Sequence, residues 1–113
     1  MPPSSQRDVI PPGTLDLLIL KTLEREGARH GFEIANSIEA ISHEVLQVEE
    51  GSLYPALQRM LLKGWLAAEW GRTQENRRAR YYSLTREGRK HLAQELQRYE
   101  RVSAAIGRVL QPA

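Results

Sequence analysis

The sequence contains no cysteine among its 113 residues. This absence excludes disulfide bonds, thiolate nucleophiles and cysteine-ligated zinc, and it is typical of a protein of the reducing cytoplasm. No apolar run approaches the roughly 18 residues that a transmembrane helix requires, so we expect no contact with a membrane. The opening segment MPPSSQRDVIPPG also lacks the apolar stretch of a signal peptide. We therefore expect a cytoplasmic protein.

Residues that could carry catalysis or bind a metal are also scarce. The three histidines, His30, His43 and His91, lack ligand spacing with one another, and His43-Glu44 is not followed by the second histidine of a zinc hydrolase. Neither a glycine-rich phosphate loop nor a nucleophile elbow occurs. The sequence therefore predicts a protein that is not an enzyme and has no metal site and no cofactor.

What the sequence does have is an uneven distribution of charge around a formal net charge of +2. Residues 1–50 hold four Lys and Arg against nine Asp and Glu. Residues 51–80 hold six against two, and residues 81–113 hold six against three. Positive charge therefore concentrates in the second half of the chain. This pattern is typical of a nucleic-acid binder, although a solvated basic surface would produce it as well.

The length predicts a single domain with an appended helix. We expect a flexible arm over residues 1–12, ending at the Pro11-Pro12-Gly13 break. Residues 13–84 are expected to form a mainly α-helical domain with a small β-hairpin, and residues 85–113 a long helix capped by Thr85. This order of elements is that of a winged helix-turn-helix. The predicted helices and strands are 14–26, 31–42, 52–64, 65–71, 79–84 and 85–110.

The caps and apolar faces of the first three helices follow from residue type and spacing. Thr14 and Ser52 are expected to cap the first and third helices, and Ser52 would place Pro55 in a first turn, where its missing amide hydrogen is tolerated. The side chains of Val45, Leu46 and Val48 are expected to pack into the core. The second helix is expected to bury the apolar residues Phe32, Ile34, Ala35, Ile38 and Ile41. The third is expected to bury Leu53, Leu57, Met60 and Leu61, with Gly51, Pro55, Gln58 and Leu62 on the opposite face.

The third helix and the hairpin turn are the candidate DNA-binding elements. The major groove admits one helix, whose N-terminal residues reach base edges, and Gln58 could hydrogen-bond an adenine. The amides near Ser52 would also favour a phosphate. Guanidinium groups at the hairpin tip could bind phosphates, and Glu75 is the one negatively charged residue in that turn. The alternative is an exposed helix and a solvated turn on an interaction module. The candidate DNA-binding residues are Ser52, Tyr54, Pro55, Gln58, Arg59, Arg77, Arg78 and Arg80, with Arg72 beside them.

The aromatic residues of the hairpin have a simpler interpretation. We expect one ring of the Tyr81-Tyr82 pair to lie in the core and the other on its rim; the alternative is that they stack on single-stranded nucleic acid. Both Trp65 and Trp70 are expected to pack within the hairpin, although one of them could line a pocket at a dimer interface. The long last helix carries apolar residues at coiled-coil-like intervals and needs a second surface, most simply another copy of the chain. The candidate dimer-interface residues are Leu15, Leu18, Leu92, Leu96, Tyr99, Ile106 and Leu110.

Several of these segments together resemble the PadR family of bacterial transcriptional regulators, over roughly residues 13–99. The resemblance rests on LIL at 18–20, HGFEI at 30–34, GSLYPAL at 51–57, KGW at 63–65 and RYYSLT at 80–85, followed by Gly88. It implies a winged-helix domain with a C-terminal dimerisation helix, and repression by operator binding. The single terminal helix is similar to that of the family's small subgroup.

The resemblance also bears on the site residues and on an effector. Ser52, Tyr54 and Pro55 match the family's recognition-helix motif, and Arg77, Arg78 and Arg80 at the hairpin turn match its basic wing. Some small members bind flat aromatic molecules between their subunits, aided by a tryptophan on the last helix. That helix has no tryptophan here, only Tyr99. The identity and existence of an effector therefore stay open.

The expected function is that of a homodimeric repressor of transcription that binds a near-palindromic double-stranded DNA operator. Its two recognition helices would enter successive major grooves about 34 Å apart. The alternatives are a winged-helix module for protein–protein interaction and a small-molecule sensor whose DNA contact is secondary. The operator, the regulated gene and the choice between activation and repression do not follow from the sequence.

Overall fold

The computed structural model describes residues 7–11 and 13–112. It confirms the predicted mainly α-helical winged-helix fold with a long C-terminal helix. The helices are α1 Leu15–Glu26, α2 Gly31–Ile41, α3 Glu50–Leu62 and α4 Arg86–Leu110. The strands are β1 Asp8–Val9, β2 Arg29–His30, β3 Leu46–Gln47, β4 Leu66–Arg72 and β5 Arg78–Leu84.

The expected hairpin is part of a three-stranded sheet. β4 pairs antiparallel with β5, from Leu66 opposite Leu84 to Arg72 opposite Arg78. The short β2 joins the other edge of β5, so the strand order is β2-β5-β4. Two residues are too few to show an alternating apolar pattern, and for this reason the sequence did not predict β2. Because α2 begins directly after β2, this pairing fixes the start of α2 against the hairpin.

Part of the segment expected to be a flexible arm is paired with the domain. β1 lies parallel to β3 and hydrogen-bonds to it. The Arg7 guanidinium contacts the carboxylates of Glu39 at 3.3 Å and Glu44 at 3.5 Å. Residues 7–11 therefore differ from the expectation of a free arm. Residues 1–6 and residue 12 of the predicted arm lie outside the described residues.

α1 begins and ends close to where the sequence predicts, but its cap differs. Thr14 is the N-cap residue, yet its side chain makes no capping hydrogen bond. The reason is its helical backbone conformation, since a capping side chain normally needs an extended N-cap residue. Gly27 ends the helix with φ +81°, a left-handed conformation that suits glycine, and its N–H donates to the Leu23 carbonyl.

α2 starts with a histidine in place of the usual Ser or Thr cap. His30 Nδ1 accepts a hydrogen bond from the Glu33 N–H, and the Glu33 carboxylate accepts one from the His30 N–H at 3.1 Å. The apolar face is narrower than predicted: Ile34 and Ile38 are buried, whereas Phe32 and Ile41 are exposed. Val45, beyond this helix, is also more exposed than predicted.

α3 begins earlier than predicted, and its capping residue is different. The N-cap is Glu49, and the Ser52 N–H already donates to the Glu49 carbonyl at 3.0 Å. The prediction of Ser52 as the cap is therefore wrong, and Pro55 lies beyond the first turn. The missing N–H of Pro55 leaves the Gly51 carbonyl without its donor four residues on. Both residues are exposed, so water can hydrate that carbonyl.

The core is a single cluster around α1, which packs against α2, α3, α4 and β5. Tyr82 is buried in it, which confirms the prediction that one ring of the Tyr81-Tyr82 pair lies in the core, whereas Tyr81 is partly buried against Gly71 and His30. The fully buried large side chains come from every helix. They are Ile19, Leu20, Thr22, Leu23, Ile34, Leu53, Leu57, Met60 and Leu92.

The predicted cap of α4 is confirmed, and it also ties α4 to the end of α3. The Thr85 hydroxyl accepts a hydrogen bond from the Gly88 N–H at 3.0 Å and donates one to the Gly64 carbonyl at 2.7 Å. Gly88 lies against the Trp65 backbone, and a Cβ at this position would lie 2.1 Å from the Trp65 carbonyl oxygen. Glycine is therefore required for this close approach.

We expect Gly88→Ala to lower the free energy of unfolding by about 1–3 kcal/mol, the usual cost of overpacking a close contact. The matched control is Gly107→Ala in the same helix, where a new Cβ meets no atom within 4 Å. That control should gain up to about 1 kcal/mol from helix propensity. Urea denaturation followed by circular dichroism measures both changes. Equal stability of the Gly88→Ala protein and its parent would contradict the close contact.

Candidate nucleic-acid interface

The outward face of α3 matches the face predicted from the sequence. Leu53, Leu57 and Met60 point into the core. A continuous stripe of exposed residues lies on the side of α3 opposite to these core residues, and further exposed residues flank the stripe on both sides. The stripe consists of Gly51, Pro55, Gln58 and Leu62, with Tyr54 on one flank and Ser52 and Arg59 on the other. All five α3 residues proposed for DNA binding are therefore accessible.

Tyr54 is fixed against the start of α2. Its ring lies on the backbone of Gly31, where a Cβ would come within 2.8 Å of the ring. Burial, and then the charge of Glu50 and the proximity of Tyr82, raise the pKa of Tyr54 above the ordinary value of 10.0. The phenol therefore stays protonated at neutral pH. It can donate a hydrogen bond to a phosphate or a base from a fixed position.

The opposite flank of α3 differs from the sequence-based picture in two ways. Arg59 is not a free cation, because its Nη2 lies 2.5 Å from Oδ1 of Asp16 in α1. The amide of Ser52 is not free for a phosphate either, because it bonds within the helix. Glu49 and Glu50 also place negative charge at the N-terminus of α3, which disfavours an anion there.

The wing, defined here as β4, β5 and the turn between them, has an ordered tip. The Thr73 N–H donates to the Arg77 carbonyl at 2.8 Å, and the Arg77 N–H donates to the Thr73 hydroxyl. Asn76 adopts φ +61°, a left-handed conformation that asparagine tolerates better than most residues. The Arg72 guanidinium donates to the Asn76 carbonyl at 3.1 Å and closes the turn. The tip therefore holds its arginines on a defined backbone.

Two wing arginines stack on Trp70. The Arg78 guanidinium carbon lies 4.2 Å from the ring centroid, and that of Arg80 lies 5.9 Å away. Trp70 is 60% exposed, and it packs within the hairpin against these two arginines of β5. Trp65 packs instead against the core and stacks on His91 of α4, at 3.6 Å between ring centroids, which differs from the predicted packing within the hairpin. Cation–π stacking orients the arginines while leaving them open to solvent.

The wing arginines have no acidic partner in the part of the chain that the structure describes. No carboxylate of residues 7–11 or 13–112 lies within 4.0 Å of the cationic nitrogens of Arg77, Arg78 or Arg80. An open groove of about 1170 Å³ joins them to the Tyr54 flank of α3. Phe32 lines this groove, and its exposure could not be predicted, because it fits the apolar period of α2.

The residues predicted to form a dimer interface fall into two groups. Leu92 is buried in the core of its own chain, so its assignment to the interface is corrected. Leu15, Leu18 and Leu96 are partly buried against the same core. The rest lie exposed on the second half of α4, together with two valines that were not predicted to belong to the stripe. The exposed apolar residues there are Tyr99, Val102, Ile106, Val109 and Leu110.

Neither a metal site nor a membrane-spanning helix occurs among the residues that the structure describes. No group of three or more His, Asp or Glu side chains in residues 7–11 and 13–112 could hold a metal ion. None of the helices in these ranges is both long enough and apolar enough to cross a membrane.

Comparison with known proteins identifies the family of this chain. The family model described as "Transcriptional regulator PadR-like family" matches residues 19–94, more than half of the sequence. The chain belongs to this family. Because its members are transcriptional regulators, the expectation that the protein is not an enzyme is confirmed.

Similar proteins extend the match to most of the chain. A transcriptional regulator from Clostridium thermocellum superposes with a TM-score of 0.79 at 29% identity, covering 88% of this chain and 95% of its own. A PadR family transcriptional regulator from Eggerthella lenta gives 0.75 at 26% identity, covering 89% and 85%. An uncharacterised protein from Lysinibacillus sphaericus is 29% identical over 94 residues, which are 83% of this chain and 85% of that protein.

The environment of Tyr54 leads to a prediction about its titration. Glu50→Gln should bring the pKa of Tyr54 closer to 10.0, because the Glu50 charge is one cause of the upward shift. Glu87→Gln, which removes an acid from the first turn of α4 instead, should leave it unchanged. A pH titration of 13Cζ-labelled tyrosine by NMR, with Tyr54→Phe for assignment, measures both.

The same shift has a consequence for stability. Because the pKa of Tyr54 is raised on folding, its contribution to stability is complete below the unfolded pKa and is lost as the pH rises through the folded one. As the pH rises above the ordinary value of 10.0, the parent protein should therefore lose stability more steeply than Tyr54→Phe, by at most the effect of one bound proton. Parallel pH profiles of the two proteins would contradict the assigned environment.

Proposed function

We propose that this PadR-like protein is a cytoplasmic, homodimeric repressor that binds a near-palindromic operator in double-stranded DNA. One observation carries the proposal. Tyr54, on one flank of the exposed face of α3, lines one open groove together with three wing arginines that have no carboxylate partner among the described residues. A surface of this shape and charge fits a DNA groove and the phosphates beside it.

Sequence would be read by α3. The exposed Gln58 has the donor and acceptor that pair with an adenine edge in the major groove. Tyr54, held on Gly31 and protonated, supplies a hydrogen-bond donor beside it. Pro55 and Ser52 are small enough to let the helix approach the bases. These are the residues of α3 that we assign to base contact or to its immediate neighbourhood.

Affinity without sequence preference would come from the wing. Arg77 and Arg78 lie at its tip. Arg80 follows them in sequence and stacks on the ring of Trp70, as Arg78 does. Guanidinium groups bind phosphate oxygens in pairs of hydrogen bonds and release counterions from the duplex. A guanidinium that is already oriented loses less side-chain entropy on binding, which favours contact with the backbone.

Dimerisation would come from the second half of α4. Every residue from 97 to 110 except Ala105 is exposed. Tyr99, Val102, Ile106 and Val109 follow one another at intervals of three, four and three, which is the spacing of a helix-pairing seam. A second copy of α4 would bury this stripe and set two copies of α3 about one helical turn of DNA apart, roughly 34 Å.

The proposed division of roles can be tested with two sets of variants. Arg77→Ala with Arg78→Ala should weaken binding to all duplexes alike and reduce the salt slope by about 0.9 for each phosphate that is no longer neutralised. Gln58→Ala should instead reduce the preference for the selected operator over random DNA by about 5- to 100-fold. Fluorescence anisotropy from about 50 to 300 mM salt, on duplexes selected from a random pool, measures both.

A charge-matched control is available on the same chain. Arg86→Ala with Arg89→Ala removes two positive charges from the exposed start of α4, away from the groove, and should change affinity little. If the two arginine pairs lose the same affinity, only net charge matters and the wing has no special role. If the parent protein binds no duplex in dilute salt, the proposed function is rejected.

The dimer can be tested separately from DNA. Ile106→Glu places a charge on the exposed stripe and should raise the dimer dissociation constant about tenfold or more, because burying an unpaired carboxylate is unfavourable. Gln97→Glu adds the same charge half a turn round the helix and should leave the dimer intact. Sedimentation velocity at micromolar concentration distinguishes the two. A parent protein that is monomeric there would contradict the dimer.

A further inference from the structure

The two flanks of α3 carry different charge. The Tyr54 flank faces the groove, which is lined by four wing arginines and by two acids, Glu33 and Glu75, so positive charge is in excess there. The other flank faces the start of α1 and has one cation, Arg59, whose guanidinium is held by Asp16 at 2.5 Å. These two residues are 43 positions apart, so the ion pair joins two separate helices.

A second acid lies on the same side of α3. A cavity of about 330 Å³ separates this flank from the N-terminal segment and the start of α1, and Glu49 lines it together with Asp16 and Arg59. Both members of the ion pair remain reachable, since the side chain of Arg59 is 49% exposed and that of Asp16 is 27% exposed. This flank therefore presents no excess of positive charge, although it borders the helix proposed to enter the major groove.

We infer that Asp16 is a specificity-determining residue, which lowers the affinity for non-operator DNA by neutralising Arg59. The inference rests on the proposed DNA-binding function. A guanidinium that already has a carboxylate partner gains little when a phosphate replaces that partner, because the counterion released from the duplex is offset by the cation that the freed carboxylate attracts. With the cation on this flank neutralised, discrimination depends on the base contacts of α3 and on the wing.

The ion pair is poorly suited to a purely structural role. A pair between side chains that are this exposed stabilises a fold only weakly. α3 is already fixed by buried Leu53, Leu57 and Met60, which are at most 1% exposed. Removing the charge of Asp16 should therefore leave the fold in place, and its effect should appear in DNA binding.

The test is Asp16→Asn, measured on a random duplex and on the selected operator. Random DNA should be bound about two- to fivefold more tightly, the size expected for freeing one exposed ion-pair partner. The salt slope should steepen by about 0.9 for each additional phosphate that is neutralised. Operator affinity should rise less, so the ratio of operator to random binding falls. Asp16→Ser is the second variant if thermal unfolding shows that Asp16→Asn does not fold.

The matched control removes the same charge from the same helix. Glu24 pairs with Lys21 at 2.7 Å on the exposed side of α1, so Glu24→Gln should leave the affinity for random DNA unchanged. An equal gain from Glu24→Gln would overturn the inference, because net charge alone would then explain it.

Arg59→Gln completes a double-mutant cycle. In the parent it leaves the Asp16 carboxylate uncompensated and should weaken random-DNA binding; in the Asp16→Asn background it should abolish the gain and return the affinity close to that of the parent. An unchanged affinity of Asp16→Asn, or a gain that persists when Arg59 is also replaced, would overturn the inference while the parent still binds DNA. A parent that binds no duplex would instead overturn the proposed function itself.

Discussion

The arrangement of the whole molecule depends on the burial of α1. Ile19 and Leu20 are fully inaccessible to solvent, and α1 contacts the other three helices as well as β5. A chain of 113 residues has room for only one such core, so the orientations of α3 and α4 are both set by packing on the same helix. The proposed DNA-reading helix and the proposed dimerisation helix therefore share one rigid support. Well-packed cores transmit small displacements without absorbing them.

A second junction couples the same two helices directly. Thr85 caps α4 and at the same time bonds the Gly64 carbonyl at the end of α3. Trp65, which follows Gly64, stacks on His91, six residues beyond Thr85 in α4. The wing begins at the next residue, so its base is held between the ends of the two helices. The wing therefore cannot change its angle to α3 without disturbing the start of α4.

The sequence predicts what local chemistry determines by itself. The Thr85 hydroxyl suits the start of a helix, and Gly27, which has no side chain, suits the end of one. Both helix termini were predicted correctly. Glutamate is not a favoured N-cap residue, so the sequence does not mark Glu49 as the start of α3. Ser52 is a better capping residue, and for this reason the start was predicted there. β2 was missed because its two residues are held by a partner strand distant in sequence.

The candidate site shows the same limit. Residue type and helical period were enough to find the exposed face of α3 and the wing arginines. They could not reveal that Arg59 meets Asp16, since this contact depends on how α1 crosses α3. Phe32 and Leu92 both fit apolar stripes, and only the packing decides that Phe32 is exposed and Leu92 is internal. Periodicity shows that a side of a helix is apolar, and it does not say which surface covers that side.

That ambiguity has a physical meaning for α4. The helix is 25 residues long and its apolar stripe runs from Leu92 to Leu110, but only the beginning of that stripe has a partner surface within the residues described. A helix of this length spans about 37 Å, more than a small core can cover. The half that begins at Gln97 is about as short as an isolated helix that is only marginally stable in water. In the proposed dimer the same contact that spaces the two recognition helices would also stabilise the helix that makes it. Folding of the second half of α4 and the geometry of operator binding would then depend on one apolar seam.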